Sequence, residues 1–408
     1  MRNRSGVLKN AFKGTDKLLF ILSLLASAFG ILMVYSVTRH TLTDGELIPS
    51  DMKTMVLAVA IGVVLCIIIS FIDYEFIARL WPLVGIVCIG LMFLVFLFGV
   101  APPLRPDSRV WLDLKVFYFQ PSELVKIGYI ITFAVHLDLV KENLNSFKNI
   151  ALLAVHALIP FGLVMKTGDA GSALVFLLIC MAMLLVAGMH WGYFAAGAGL
   201  LAVVIPILWV LGDKAKVFNQ YQKNRVLAIL YPEHYALEEA YQQNQALNAM
   251  GSGGVFGKGL FNGEYTQNGA VPEGQNDMIL ASIGEELGLI GIIVVLLLLF
   301  AIIMRIIYVG KQSGDNKAYL MCCGTAAMIG SQAIINISMC IRIFPVIGIT
   351  LPFFSAGGSS NLCIYIAIGL IMSIYRSTRK QDPVDFRLSS IATVSYTHLR
   401  AHETRHDL

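Results

Sequence analysis

The residues able to do chemistry in this chain are few, and they gather in four places. The densest is Val271-Pro272-Glu273-Gly274-Gln275-Asn276-Asp277-Met278, which leads into Ile283-Gly284-Glu285-Glu286-Leu287-Gly288. Asp277 follows a Pro-Glu-Gly turn at the edge of an apolar run. A carboxylate partly desolvated there can take a proton as a general base; the same position equally suits a helix cap. Glu285 and Glu286 lie about two helical turns further in, so at least one of them must face protein or water and not lipid.

The second place is Phe119-Gln120-Pro121-Ser122-Glu123-Leu124-Val125-Lys126. Pro121 suits the first helical position. Glu123 and Lys126 share a helix face and can pair. Charges at membrane depth mark a site, a water-filled cavity or an ion pair that fixes the helix. Just before them runs Arg105-Pro106-Asp107-Ser108-Arg109-Val110-Trp111-Leu112-Asp113-Leu114. Arg109 beside Trp111 reads either as an interfacial anchor or as a guanidinium presented to phosphate. The third place, Lys166-Thr167-Gly168-Asp169-Ala170-Gly171-Ser172, puts Asp169 where it can cap the following helix.

The fourth starts at Arg342-Ile343-Phe344-Pro345 and continues through Gly348-Ile349-Thr350-Leu351-Pro352-Phe353-Phe354-Ser355-Ala356-Gly357-Gly358-Ser359-Ser360. Its prolines and glycines break any helix, and broken backbone near membrane depth is tolerated only where protein or a cavity satisfies it. The segment reads as a re-entrant or pocket-lining loop, with a plain connection as the alternative. One motif is refused. His402-Glu403-Thr404-Arg405-His406 matches a zinc signature, but no third ligand follows and no helical pattern surrounds it, so His402 and His406 are rejected as metal ligands.

The elements that must hold these residues are membrane helices. Of 408 residues, 57% are hydrophobic and 14% charged, against about 25% charged in an average soluble domain. A water-soluble monomer of this size cannot hide so much apolar surface. That excludes a soluble enzyme, a disordered chain and a disulfide-built secreted module. The net charge of +4 is spread over loops, without the basic face a nucleic-acid binder needs. The seven cysteines lie in apolar stretches without metal-ligand spacing and read as packing.

A bilayer crossing takes about 20 apolar residues. Ten stretches qualify: Leu18–Val37, Met55–Ile72, Leu80–Val100, Ser122–Val140, Ile150–Met165, Gly171–Met189, Gly192–Leu211, Ile283–Tyr308, Ala318–Ile341 and Asn361–Tyr375. The first follows Arg2, Arg4, Lys9, Lys13 and Lys17. It is longer than a signal core and lacks an A-x-A cleavage site, so it is expected to stay as an anchor helix. The excess of Lys and Arg in alternate short loops puts both termini in the cytoplasm and the long loop, about 212–282, outside. That loop carries Tyr221–Tyr231, a turn at Pro232–Glu233 and an amphipathic run from Ala236 to Met250. Gly251-Ser252-Gly253-Gly254 follows, with Gly257 and Gly259, a composition suited to close backbone approach. The expected organisation is a cytoplasmic segment 1–17, a polytopic membrane domain 18–380 and a cytoplasmic tail 381–408. Residues 394–408 of that tail resemble translated sequencing-adapter read-through and are set aside as non-native.

Taken in order, these motifs resemble the shape, elongation, division and sporulation (SEDS) family, the RodA/FtsW/SpoVE proteins, over about residues 15–380. The matching residues are Arg109, Trp111 and Leu112, then Phe119 to Glu123 with Lys126, then Tyr241, Gln242 and Gln245. Next come Gly251 to Gly254 with Gly257 and Gly259, Pro272-Glu273, Asp277 and Glu285 to Gly288. Gln332, Asn336, Pro345, Gly348, Leu351 to Phe353, Ser355 and Gly357 to Ser360 complete the set. The resemblance implies an all-α integral membrane protein of about ten helices that polymerises lipid II into β-1,4 glycan strands at the outer face of the bacterial cytoplasmic membrane. It implies a class B penicillin-binding protein as partner, with other elongation or division proteins. The family's catalytic carboxylate maps onto Asp277. Glu123, Lys126, Asp169, Glu285, Glu286, Ser355 and Ser359 would line the cavity. Arg109, Lys258 or Arg342 could hold the diphosphate, with a divalent cation, Mg or Mn, in addition or instead. Three stretches differ from the usual pattern: Thr167-Gly168-Asp169-Ala170-Gly171-Ser172 for Gln-Pro-Asp-Leu-Gly-Thr, Gln275-Asn276 for His-Thr, and Ala356 for Tyr. Gly257-Lys258-Gly259 leans toward the RodA-like branch. A lipid-linked precursor flippase and a non-catalytic scaffold for a penicillin-binding protein are the alternative readings.

Overall fold

The computed structural model describes residues 14–42, 47–101, 109–115, 118–215, 220–231, 233–235 and 240–379. The first basic residues of the N-terminus, Pro232, 236–239, His402, His406 and the segment 394–408 lie outside the described residues. Lipid offers a backbone no hydrogen-bond partner, so each segment must satisfy itself, and helices do so locally. In chain order the helices are α1 (Lys17–Thr38), α2 (Ser50–Phe71), α3 (Tyr74–Arg79), α4 (Trp81–Phe98), α5 (Pro121–Leu139), α6 (Phe147–Lys166) and α7 (Ala170–Val186). They continue as α8 (Trp191–Ala215), α9 (Gln220–Leu230), α10 (Tyr241–Gly253), α11 (Glu264–Gln267), α12 (Ile279–Gln312), α13 (Asn316–Cys340) and α14 (Gly358–Arg379). A small antiparallel pair, β1 (Leu112–Asp113) and β2 (Tyr118–Phe119), sets Leu112 opposite Phe119 just before α5.

Among the described residues seven helices, α1, α2, α4, α6, α12, α13 and α14, are long and apolar enough to cross a bilayer. The other three expected spans coincide with α5, which carries Glu123, Lys126 and Asp138, with the 17-residue α7, and with α8. The chain is an all-α, multi-pass membrane protein. Its interior follows a membrane protein's logic. In α13 and α14, 78% and 89% of the most apolar window is buried, against 11% in α4 and in α6. The two central helices are also less apolar than α4. Outer helices must match lipid, whereas central ones face other helices and can carry polar side chains.

Two devices tie the bundle. At one end Asp16 accepts from the Leu19 amide at 3.2 Å, capping α1, and from Arg305 Nε of α12 at 2.8 Å. At the other end α12 is broken. The expected span Ile283–Tyr308 reads as one apolar run, but Gly288 sits at φ 68°, ψ −164°, outside any helix. The helical bonds lost there, from the amides of residues 289 and 290 to the carbonyls of 285 and 286, are replaced pairwise by the glycine-rich turn after α10. Lys258 and Gly259 amides donate to the Glu285 and Glu286 carbonyls at 3.0 and 2.9 Å. Leu289 and Ile290 amides donate to the Gly254 and Val255 carbonyls at 3.0 and 3.3 Å. A Cβ on Gly288 would collide with the Gly257 amide and the Val255 carbonyl. Gly288→Ala is therefore expected to lower the thermal unfolding midpoint in detergent sharply. Gly314→Ala, at φ 66° with open space around it, should cost only the left-handed strain of about 1–2 kcal/mol. Equal effects of the two would show that the turn does not need this close approach.

Candidate active site

Asp277 stands two residues before α12 and is 8% exposed. Main-chain contacts help fix its position. Glu273 adopts a left-handed φ of 54°, and its carbonyl accepts from the Asn276 and Met278 amides at 3.0 and 3.1 Å, closing the turn around Asp277. Asn336 of α13 donates to the Asp277 carbonyl and to the Ile349 carbonyl, both at 2.8 Å. Ser355 Oγ donates to the Asn276 carbonyl at 2.7 Å and accepts from the Leu351 amide at 2.8 Å. The Ala356 amide donates to the Gln275 carbonyl at 2.9 Å. The irregular segment between α13 and α14 is thus sewn onto the Asp277 turn, and Leu351, Phe353, Phe354 and Ser355 are buried. It is an interior loop and not a surface connection, as its prolines and glycines predict.

A second group adjoins the first. Lys126 Nζ donates to Glu123 Oε1 at 2.7 Å, and both residues are buried, at 0% and 6% exposure. Gln332 Nε2 lies 3.4 Å from the other oxygen of Glu123. Gln332 and Asn336 are four apart on α13, hence on one face. Adjacent rungs of one helix therefore hold Glu123 and the Asp277 main chain. Asp169 caps α7 through the Ser172 amide at 2.9 Å and also accepts from Gln120 Nε2 at 2.7 Å. The Gln120 amide donates to Ser359 Oγ at 2.9 Å, and Ser359 Oγ donates to the Tyr118 carbonyl at 3.0 Å. Pro121 opens α5, as its ring favours.

The remaining candidates lie around these groups. Glu285 and Glu286 are both fully buried. Glu285 accepts from the Tyr265 and Thr266 amides at 2.9 and 2.8 Å, from Thr266 Oγ1 at 2.8 Å and from Lys258 Nζ at 3.2 Å. Glu286 accepts from Ser36 of α1 and from Gln267, each at 2.7 Å. These contacts clamp α11 and the long loop onto α12. Lys258 also faces Glu264 at 3.7 Å. Arg342, at φ 57°, donates to Asn244 Oδ1 at 2.8 Å, and Arg109 is exposed beside the Val100–Trp111 bridge.

A family model described as a cell cycle protein, covering FtsW, RodA and SpoVE, matches residues 16–380. The chain belongs to this family. Among its relatives are peptidoglycan glycosyltransferase MrdB of Escherichia coli K12, 31% identical over 346 residues (84% of this chain, 90% of that protein), and stage V sporulation protein E of Bacillus subtilis, 33% identical over 372 residues (89% and 98%). The probable peptidoglycan glycosyltransferase FtsW of Geobacter sulfurreducens is 32% identical over 380 residues (89% and 95%). The fold matches a chain of a solved peptidoglycan synthase complex with a TM-score of 0.75 at 24% identity, covering 90% of this chain and 99% of that one. It also matches Thermus thermophilus rod shape determining protein RodA with a TM-score of 0.65 at 22% identity (90% and 98%).

Within the FtsW/RodA/SpoVE family, the positions where this chain departs from the usual residues now have a physical reading. Gln275, Asn276 and Ala356 hold the Asp277 turn through their carbonyls and amide, which any residue other than proline at the amide can supply. Gln120 and Asn336 appear in the sequence as residues of the matching motifs without an assigned role, and the structure makes them the partners that hold the groups just described; Arg225 of the long loop, which donates to the Val346 carbonyl, was not singled out at all. Gln332 and Asn336 carried a usable signal, since amides four apart inside an apolar helix need polar partners. Gln120 carried only its place in the Phe119–Glu123 motif, and Arg225 carried none.

Proposed function

We propose that this chain is a peptidoglycan glycosyltransferase that polymerises lipid II at the outer face of the bacterial cytoplasmic membrane, with Asp277 as the base. The observation that carries this reading is the anchoring of one nearly buried carboxylate by α13 and by the interior loop, at the end of an apolar bundle. Asp277 takes the proton from the acceptor sugar's 4-hydroxyl. The oxygen's electron pair forms the bond to the donor's anomeric carbon. The bond from that carbon to phosphate breaks, and the lipid diphosphate leaves with its electron pair. Attack opposite the leaving group turns an α-linked donor into a β-linked strand. Arg109, Lys258 and Arg342 are the cations proposed to meet the diphosphate, while Glu123, Lys126, Asp169, Ser355 and Ser359 shape the cavity. Glu285 and Glu286 act as positioning residues.

The names of the FtsW and MrdB relatives support the activity, and the synthase complex supports a class B penicillin-binding protein as partner. Both termini are proposed to be cytoplasmic. The Gly257-Lys258-Gly259 turn favours a role in elongation. The test is polymerisation of purified lipid II by purified full-length protein, with and without a class B penicillin-binding protein, read as strands on a gel. Strands are expected in at least the presence of the partner. Their absence in both conditions would overturn the assignment.

A further inference from the structure

The chain that leaves α13 folds back over the last turn of that helix, where the Ile347 amide meets Met339 Sδ at 3.2 Å. Two side-chain amides hold the ends of this return. At the far end Asn336 bridges the Ile349 and Asp277 carbonyls. At the near end stands Gln243 of α10. Its Nε2 donates to the Met339 carbonyl and to the Phe344 carbonyl, both at 2.8 Å, one proton to each. Between those carbonyls lies Arg342 at a left-handed φ of 57°. A non-glycine residue keeps such a backbone only where its surroundings over-determine it. Gln243 supplies that constraint, joining the main chain before the strained residue to the main chain after it. The adjacent Asn244 accepts from the Arg342 guanidinium at 2.8 Å.

The shape of α10 explains how Gln243 gets there. Gln243, Ala246, Ala249 and Gly253 are buried and follow one another at helical spacing, on one face. The small residues let α10 lie close against α12: a Cβ on Gly253 would collide with the Gly284 carbonyl. Gln243 is the one long polar side chain of that face. At 1% exposure it cannot touch a substrate, and burying an amide is costly unless its protons find acceptors. We propose that Gln243 is a positioning residue for the reaction at Asp277. By fixing residues 339–344 it sets where the Ile349 carbonyl meets Asn336, and so where Asn336 holds Asp277. This inference rests on the reading of Asp277 as the base. It gives the long loop a defined mechanical link to that base.

The test is Gln243→Met, which keeps the length of the side chain and removes both donors. Polymerisation of lipid II by the purified full chain with its partner gives kcat and KM, counted per folded chain. A fall in kcat of roughly 10–100-fold is expected, the effect of a small misplacement of a reacting group, with KM unchanged. Gln243→Lys should restore most of the rate, because an ammonium can donate to both carbonyls and suits the C-terminal end of a helix. In an Asn336→Ala background, Gln243→Met should cost little more, since the path is already broken. Parental kcat in folded Gln243→Met would overturn the proposal. So would an undiminished loss in the Asn336→Ala background, or a folded Gln243→Lys no faster than Gln243→Met. Should Gln243→Met not fold, Gln243→Glu, of the same shape with no N–H to donate, is held to the same outcomes. Asp277→Asn run alongside separates the two claims. Parental activity there removes the base and this proposal with it, whereas an inactive Asp277→Asn beside a fully active Gln243→Met removes this proposal alone.

Discussion

Asp277→Asn is expected to reduce strand synthesis from lipid II by roughly 10²–10⁴-fold, the range that one positioned proton acceptor supplies, while the protein stays folded. The two halves of this expectation come from different atoms. Main-chain contacts hold residue 277 in place: its carbonyl accepts from Asn336, and the carbonyls of Gln275 and Asn276 accept from Ala356 and Ser355. None of these changes when a carboxylate becomes an amide of the same size. What changes is the ability to take a proton, because an amide oxygen is far too weak a base. Polymerisation is read on gels with purified lipid II and the partner, and folding by thermal unfolding in detergent. Near-parental strand formation would remove Asp277 as the base. Loss of activity together with loss of folded protein would show that the side chain holds the turn as well.

Much of this arrangement is legible in the sequence where the determinant is local. All ten apolar runs became helices, because a run long enough to cross lipid has no other way to satisfy its backbone. The Glu123–Lys126 pair and the Asp169 cap follow from spacing alone. The break at Gly288 does not. Leu287, Gly288 and Leu289 read as part of one apolar span, and an isolated glycine in such a run has several meanings. What breaks the helix is the turn at 254–259, more than 25 residues earlier in the chain, which supplies the replacement bonds. Gln120 fails for the same reason, since its partners Asp169 and Ser359 are 49 and 239 positions away. Local charge patterns thus located the Asp277 and Glu123 groups, while the joints between them are made by long-range pairing.

Lys126→Met is expected to cost about 3–5 kcal/mol of folding stability, and Glu123→Gln/Lys126→Met to recover most of it. Lys126 is fully buried and its ammonium lies 2.7 Å from Glu123 Oε1. Met has nearly the same length, so packing survives and the charge alone is lost. The single variant leaves the Glu123 carboxylate inside the bundle without its counter-ion, and an uncompensated buried charge is the costly outcome. In the double variant no charge remains, and Gln332 still has an oxygen at position 123 to which it can donate. The measurement is the unfolding midpoint of each variant in one detergent, assembled into a double-mutant cycle. A double variant as unstable as the single would mean that the two charges are not a coupled pair. The cycle also separates scaffold from site. Gln332 and Asn336 are neighbours on α13, so the Glu123 group and the Asp277 turn share one support. A double variant that folds and still makes strands would assign the pair to holding that support. One that folds but makes none would give its charges a part in the reaction that geometry around Asp277 cannot replace.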